Sequence, residues 1–232
     1  SMTSVELPQA QKELLAAVKA TGKPVVVLLV TGRPMALESV DELMDALMVV
    51  WHPGTAGGDA LADLLSGDYS PSGHLTMSFP RCDGQIPIRY NHKSTGRPIN
   101  KEIDYTQSHK AKKNYLSSYL FTPNTPLYSF GYGLSYTEFE YSNLTVTEDA
   151  VHFTVRNIGS VYGEEIAQLY IHADTSGMFR PEQELKGFAK VNLKAGESKT
   201  VLIQLDDKAF RYFNVITDRW EVETADYEIM VA

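Results

Sequence analysis

The chain has a single cysteine, Cys82, among its 232 residues, which excludes an intrachain disulfide. One thiol fits a reducing compartment as well as an exported protein that needs no covalent staples. Long apolar runs are also missing. The strongest, Val25–Val30, is six residues long and ends at Thr31-Gly32, far short of the ~20 residues of a membrane helix, so no membrane association is expected. No stretch reads as a signal peptide, and Ser1-Met2 reads as a remnant ahead of an internal start, so export is not addressed. The six histidines, His52, His74, His92, His109, His152 and His172, have none of the close pairings of a metal site, and no metal or cofactor is expected. The glycines of Trp51-His-Pro-Gly-Thr-Ala-Gly-Gly58 are not followed by Lys-Ser/Thr, and no Gly-x-Gly-x-x-Gly occurs. They read as turn glycines, not a phosphate cradle.

Basic charge is scarce where nucleic acid would need it. Residues 1–137 carry 12 Lys and Arg against 12 Asp and Glu, whereas residues 138–232 carry 9 against 17, so the whole net charge of −8 sits in the second part. That part repels phosphate backbones, and the Lys110-Ala-Lys-Lys113 cluster is too short to bind nucleic acid alone.

What is present changes character along the chain. In the first part Pro8 opens a helical spacing through Leu14, Leu15 and Val18 to a glycine stop at Gly22. Pro24 then introduces the run of a strand buried on both faces. Ser39 or Asp41 caps a helix through Asp45 before a strand at Leu47–Trp51, and a helix over Asp59–Ser66 precedes a strand near Leu75–Phe79. This alternation predicts a largely parallel sheet with helices on its faces. The loops after its strands, Thr31–Pro34 and Trp51–Gly58, stand where open α/β sheets keep their sites.

Between residues 81 and 125 periodicity fades and Pro, Asn, Lys, Ser and Gly accumulate, a loop long enough to suggest a rim. Asn91, His92, Lys93 and Arg97 give it groups suited to a polyol, although a solvated surface loop explains them equally well. Within Pro126–Thr137, Tyr128, Phe130, Tyr132, Leu134 and Tyr136 alternate with small residues, so an extended strand would carry one aromatic face. An interdomain clamp is the plainer reading, and sugar stacking the other. After Thr137 short alternating stretches at 139–146, 151–155, 166–171, 188–193, 200–205 and 227–231 are separated by turn signals. About seven strands predict an immunoglobulin or fibronectin type III-like β-sandwich. Phe210, Tyr212 and Phe213 read as core and rim packing, with a carbohydrate-binding surface as the alternative.

Several ordered segments together carry a resemblance. Leu7-Pro8-x-x-Gln11, Lys23-Pro-Val-Val, Thr31-Gly-Arg-Pro34, Trp51-His-Pro-Gly54 with Gly57-Gly58, and Gly67-Asp-Tyr-Ser-Pro-Ser-Gly73 open the series. Ser78-Phe-Pro-Arg81, Tyr90-Asn-His-Lys-Ser-Thr-Gly-Arg-Pro98, Phe130-Gly-Tyr-Gly-Leu-Ser-Tyr-Thr137 and Glu184-Leu-Lys-Gly-Phe188 complete it. In this order they resemble glycoside hydrolase family 3, and most closely its periplasmic β-glucosidase branch.

The resemblance implies a three-part enzyme: a (β/α)8 barrel, an α/β sandwich domain and a fibronectin type III-like domain. Residues 1–125 would be the C-terminal part of the α/β sandwich, with a rim loop at 81–125, residues 126–137 an interdomain clamp of Tyr128, Phe130, Tyr132 and Tyr136, and residues 138–232 the fibronectin type III-like domain. Such enzymes release terminal β-D-glucosyl units with retention, using two carboxylates about 5–5.5 Å apart. In the family the nucleophilic Asp lies on the barrel, and in this branch the acid/base Glu precedes the segment matched by Leu7-Pro8. Both are therefore expected upstream of Ser1, leaving no catalytic residue in this chain, and His52, Asn91, His92 and Arg97 as candidates for the substrate rim. A β-glucoside or oligosaccharide substrate, a periplasmic or secreted location and a homo-oligomer are compatible with this.

Two positions depart from the family pattern: Thr76 replaces a usual proline, which alters only strand stiffness, and Ala56 a usual carboxylate or amide, which leaves sugar preference, and with it β-xylosidase activity, open. Two other readings compete with the glycosidase fragment. One is a non-catalytic carbohydrate-binding or scaffolding module. The other is an independent hydrolase using Glu6, Asp59 or Asp63; against it, Glu6 sits at a helix start and Asp59 and Asp63 sit on the solvated side of a helix.

Overall fold

The structure, a computed structural model, describes residues 3–93, 95–98, 117–174 and 176–232. His109 and the Lys110–Lys113 cluster lie outside the described residues. Contacts group the chain into two compact units: Ser1–Ala60, Leu75–Tyr90 and Thr95–Tyr132 form the first, and Leu61–His74, Asn91–Ser94 and Gly133–Ala232 the second.

The first unit starts with helix α1 (Gln9–Lys19), which has Pro8 at its N-cap and is followed by Gly22 at φ +73°. Strands β1 (Val26–Leu29) and β2 (Ala46–Val49) pair in parallel, Val26 opposite Ala46 through Leu29 opposite Val49. Asp45 anchors the start of this pair by accepting from Val25 N at 2.7 Å and pairing with Lys19 at 2.8 Å. Those two bonds, Lys19 first, hold its carboxyl below the usual range. The small core is built on Phe79, Leu37 and Val40, with Trp51 and Tyr128 ringed around Phe79.

Four local expectations are corrected here. Strand β1 is not buried on both faces: Leu29 is buried, but Val26 is 51% and Val30 61% exposed. Among the described residues β1 pairs only with β2, and no layer covers its alternate side chains. Residues Glu38–Leu43 form a 3-10 helix behind Leu37, with no side-chain cap. Asp41 instead accepts the hydroxyl of Tyr128. Leu75–Phe79 is not a parallel strand. It runs antiparallel to 127–132 through two pairs of bonds, Phe79 N to Tyr128 O at 2.8 Å with Leu127 N to Phe79 O at 2.9 Å, and Leu75 N to Tyr132 O at 2.8 Å with Gly131 N to Leu75 O at 2.7 Å.

Lastly, Pro126–Thr137 is not one extended strand. Gly131 at φ +80° and a turn from Tyr132 N to Ser129 O break the period of two. Tyr128 therefore stacks on Tyr132 (centroids 5.9 Å), while Phe130 stacks on Tyr90 (4.1 Å). The two ends of the 81–125 loop are pinned by buried Gln85, which accepts from Arg81 N at 2.6 Å and donates to Pro123 O at 2.7 Å.

Helix α2 (Gly57–Ser66) leads into the second unit, whose other regular elements are β-strands apart from one single-turn helix. Here β3 (Phe139–Val146), β4 (Ala150–Asn157), β5 (Gly163–Ala173), β6 (Glu184–Leu193), β7 (Ser198–Gln204) and β10 (Tyr227–Val231) cover each of the expected stretches. They form two antiparallel sheets, β3-β4-β7 and β10-β5-β6. Every second residue of β4 and β7 (Val151, Phe153, Val155, Val201, Ile203) meets Ala167, Leu169, Ile171 and Leu193 of the other sheet, making a sandwich core. Two strands were not anticipated. A hairpin of β8 (Arg211–Asn214) and β9 (Arg219–Val222) follows the one-turn helix Asp207–Phe210. Its connection contains Asp218 at φ +56°, and no glycine marks it in the sequence.

Candidate functional site

Because β1 and β2 are parallel, the loops that leave their C-terminal ends are neighbours. Trp51 leaves β2 at φ +53°, a left-handed conformation costly for a bulky residue, and Gly54 follows at φ +76°. The turn sets His52 over Gly32. A Cβ on Gly32 would lie 3.0 Å from His52 Nε2, and one on Gly57 only 2.6 Å from Pro53. Two of the motif glycines thus permit close approach and make no phosphate cradle. Thr31 closes its own loop, donating from Oγ1 to Arg33 O at 2.7 Å, and Arg33 donates to Ser4 O at 3.2 Å. An open groove of about 440 Å3 runs beside them, lined by Leu7, Pro8, Gln11, Leu29–Arg33 and Met35. Its lining has hydroxyl, amide and guanidinium groups but no carboxylate, so it can hold a polar ligand and has no acid/base pair of its own.

His52 is exposed at this loop end in the first unit, and Arg97, also exposed, belongs to the same unit, where its carbonyl accepts from Ser117 N at 3.0 Å. Asn91 and His92 fall in the second unit beside Lys93, which bridges to Pro181. The four rim candidates are therefore not gathered within one unit. Of the aromatic set, Tyr128, Phe130 and Tyr132 belong to the first unit and Tyr136 to the second, where its hydroxyl donates to Leu64 O at 2.7 Å.

The in-chain carboxylates are engaged elsewhere or solvated. Glu6 pairs with Lys12, and Asp59 and Asp63 are exposed on α2. The most strongly shifted carboxyl is Glu164, held down to about 2 by the hydrogen bond from Lys190 and then by the hydroxyl of Tyr69. That carboxylate accepts from Tyr69 at 2.6 Å and from Lys190 at 2.5 Å, a structural ion-pair cluster and not a poised acid. In the second unit the motif segments 67–74 and 133–137 lock together. Ser70 bonds Ser135 at 2.8 Å, and a Cβ on Gly133 would strike Gly73 O at 2.7 Å.

One cluster was flagged in the sequence only through Lys93, Tyr212 and Phe213, and its other cationic residues were not. Lys93, Arg180, Lys186, Lys208 and Arg211 line a cleft of about 650 Å3 with Phe179, Phe213 and Trp220. Its members are spread over more than a hundred residues, and only the hairpin, itself unpredicted, brings them together.

A parallel α/β pair with glycine-bearing loops at its ends, followed by an immunoglobulin-like sandwich, defines a two-part class of protein. Residues 1–136 match the profile described as the glycosyl hydrolase family 3 C-terminal domain, and residues 165–232 match the fibronectin type III-like domain. The chain belongs to glycoside hydrolase family 3. It is 45% identical to the periplasmic beta-glucosidase of Salmonella typhimurium over 92% of this chain and 28% of that protein. It is 36% identical to a putative beta-xylosidase of Formosa agariphila over 98% of this chain and 29% of the relative. The crystal structure of a beta-glucosidase from Listeria innocua superposes with TM-score 0.89 at 42% identity, covering all of this chain and 32% of that one. The chain thus spans about three tenths of the length of these relatives, and corresponds to their C-terminal part.

Proposed function

We propose that this chain forms the α/β and fibronectin type III-like parts of a retaining β-glucosidase, and that the nucleophilic Asp and acid/base Glu come from outside these 232 residues. The carrying observation is the match itself: nearly the whole chain aligns with about three tenths of enzymes named beta-glucosidase. Two features support it. The groove beside Gly32 and His52 has no carboxylate pair, and the Val26, Val30 side of β1 lies open, as it would if further protein covered it. On this reading His52, Asn91, His92 and Arg97 contribute to the substrate rim, and Tyr128, Phe130, Tyr132 and Tyr136 clamp the parts together. Substrates would be terminal β-D-glucosides, and the location periplasmic or secreted, like that named for the Salmonella relative.

The test is hydrolysis of aryl β-glucoside and aryl β-xyloside by the purified chain, alone and after co-refolding with the barrel region of a relative. The chain alone should be silent and the mixture active. Activity of the chain alone that vanished in Asp59→Asn or Asp63→Asn would refute the assignment. A second reading, a β-xylosidase, is favoured by the Formosa relative, and the preferred aryl glycoside separates it from the first.

A further inference from the structure

Residues 138–232 contain 9 Lys and Arg against 17 Asp and Glu, yet four of those nine, Arg180, Lys186, Lys208 and Arg211, line one cleft beside the β8–β9 hairpin, joined by Lys93. One carboxylate, Glu184, lines it with them. Glu184 is shared by Arg180 at 2.9 Å and Lys186 at 3.3 Å, and Arg211 pairs with Asp207 just outside. The ammonium groups of Lys93 and Lys208 have no carboxylate partner among the described residues; Lys93 lies 5.6 Å from the centroid of Phe179. The cleft is therefore cationic on a face of otherwise acidic protein.

Its walls are aromatic and face solvent. Phe213 and Trp220 are directly opposite across the hairpin, 5.6 Å apart, and Trp220 is 65% and Phe179 58% exposed. Large rings in solvent contribute little to the fold, and the sandwich core lies elsewhere. They do suit the C–H faces of pyranose rings. At about 650 Å3 the cleft has the size usual for small-molecule sites.

We propose that this cleft is a second, non-catalytic glycan site that takes an acidic oligosaccharide, one whose pyranose rings carry uronic acid carboxylates. Rings stack on Trp220 and Phe213, and carboxylates meet Lys208 and Arg211, the latter through its planar fork. A neutral glucan leaves these cations without a counter-charge, and an extended phosphate polymer meets the surrounding carboxylates beyond the cleft. The site is independent of the catalytic reading above, since its assay needs no hydrolysis.

Isothermal titration of the 232-residue chain at low salt uses tetragalacturonate, cellotetraose and a short oligothymidylate as probes. Tetragalacturonate should bind saturably, at least tenfold tighter than cellotetraose, and weaken as salt rises. Lys208→Gln with Arg211→Gln, and separately Trp220→Ala, should each weaken it at least tenfold while leaving the circular dichroism of the chain unchanged. Lys208 is exposed, so its loss does not threaten folding. Absence of saturable binding, equal affinity for cellotetraose, preference for oligothymidylate, or indifference to the Lys208 and Arg211 substitutions overturns the proposal.

Discussion

Asn157→Asp exchanges an amide for a carboxyl of the same shape at a position that is fully buried. In the native chain Nδ2 donates to Val161 O at 2.8 Å and to Leu193 O at 3.1 Å, while Oδ1 accepts from Thr137 Oγ1 at 2.6 Å and from Gly159 N at 3.1 Å. The substitution keeps both acceptor roles and turns both donors into an oxygen facing two carbonyls. Two buried acceptors lose their donors, at about 1–3 kcal/mol each, so the cost at neutral pH should be about 3–5 kcal/mol. The cost must also depend on pH. Protonated, the introduced carboxyl can donate to one of the carbonyls, so its folded-state value lies above the ordinary ~3.9 of the unfolded chain. A native state that holds its proton longer than the unfolded state loses stability as pH rises, at about 1.4 kcal/mol per pH unit until the folded-state value is passed. The variant should therefore lie nearest its parent at about pH 4 and farthest at neutral pH. Urea unfolding in a Trp51→Phe background leaves Trp220 as the only indole and reports on the second unit. Asn157→Ala is the control, with a deficit that does not grow with pH. A deficit of Asn157→Asp below about 1 kcal/mol, or one equal at pH 4 and pH 7, would refute this account of Asn157.

Gly187→Ala should cost about 1–3 kcal/mol, because a Cβ there would sit 2.5 Å from Ile203 Cγ2 where the two sheets approach; Ile203→Leu in the same chain, which removes that γ branch, should recover part of the loss in the urea titration. Glu164→Gln should cost about 1 kcal/mol, small because half-exposed Lys190 is screened by solvent. Since the folded-state value of Glu164 is depressed to about 2, its contribution is full above about pH 4.5 and fades as pH falls toward 2, so the gap between parent and variant should close over that range. A gap unchanged down to pH 2.5 would dismiss the Lys190 pairing as its source. Tyr128→Phe removes the hydroxyl donated to Asp41 and should lower the stability of the first unit by about 1 kcal/mol, followed by Trp51 fluorescence. Gly32→Val should displace His52, visible as a shifted imidazole resonance, whereas Gly22→Ala should leave that resonance in place.

The sandwich strands were legible because alternation of period two is a local signal and each strand needs only one buried face: Val151, Phe153 and Val155 announce β4 without knowledge of its partner. The first unit was less legible where a short apolar stretch had to choose between partners. Leu75–Phe79 has strand composition, but Phe79 pairs with Tyr128, far ahead in the chain, and the backbone follows that contact. Likewise the aromatic alternation of 128–136 was real in composition, while Gly131 turned it into two separate stacks. Continuity of apolar residues predicted burial of β1 on both sides, but burial requires a covering layer, which composition does not supply.

By itself, the sequence determined the family, the division into an α/β part and a sandwich, and the segregation of acidic charge, since ordered motifs, periodicity and composition are one-dimensional properties. Tertiary structure alone decided what individual residues do: the motif glycines Gly32 and Gly133 yield to His52 and Gly73, and Asn157 ties together four separated points of the chain. It alone assembled Lys93, Arg180, Lys208, Arg211 and Trp220 into one cleft. The physical reason is the same in each case: hydrogen bonds and steric contacts act over ångströms in space, and residues distant in the chain acquire a shared chemistry only once the fold has brought them within that range.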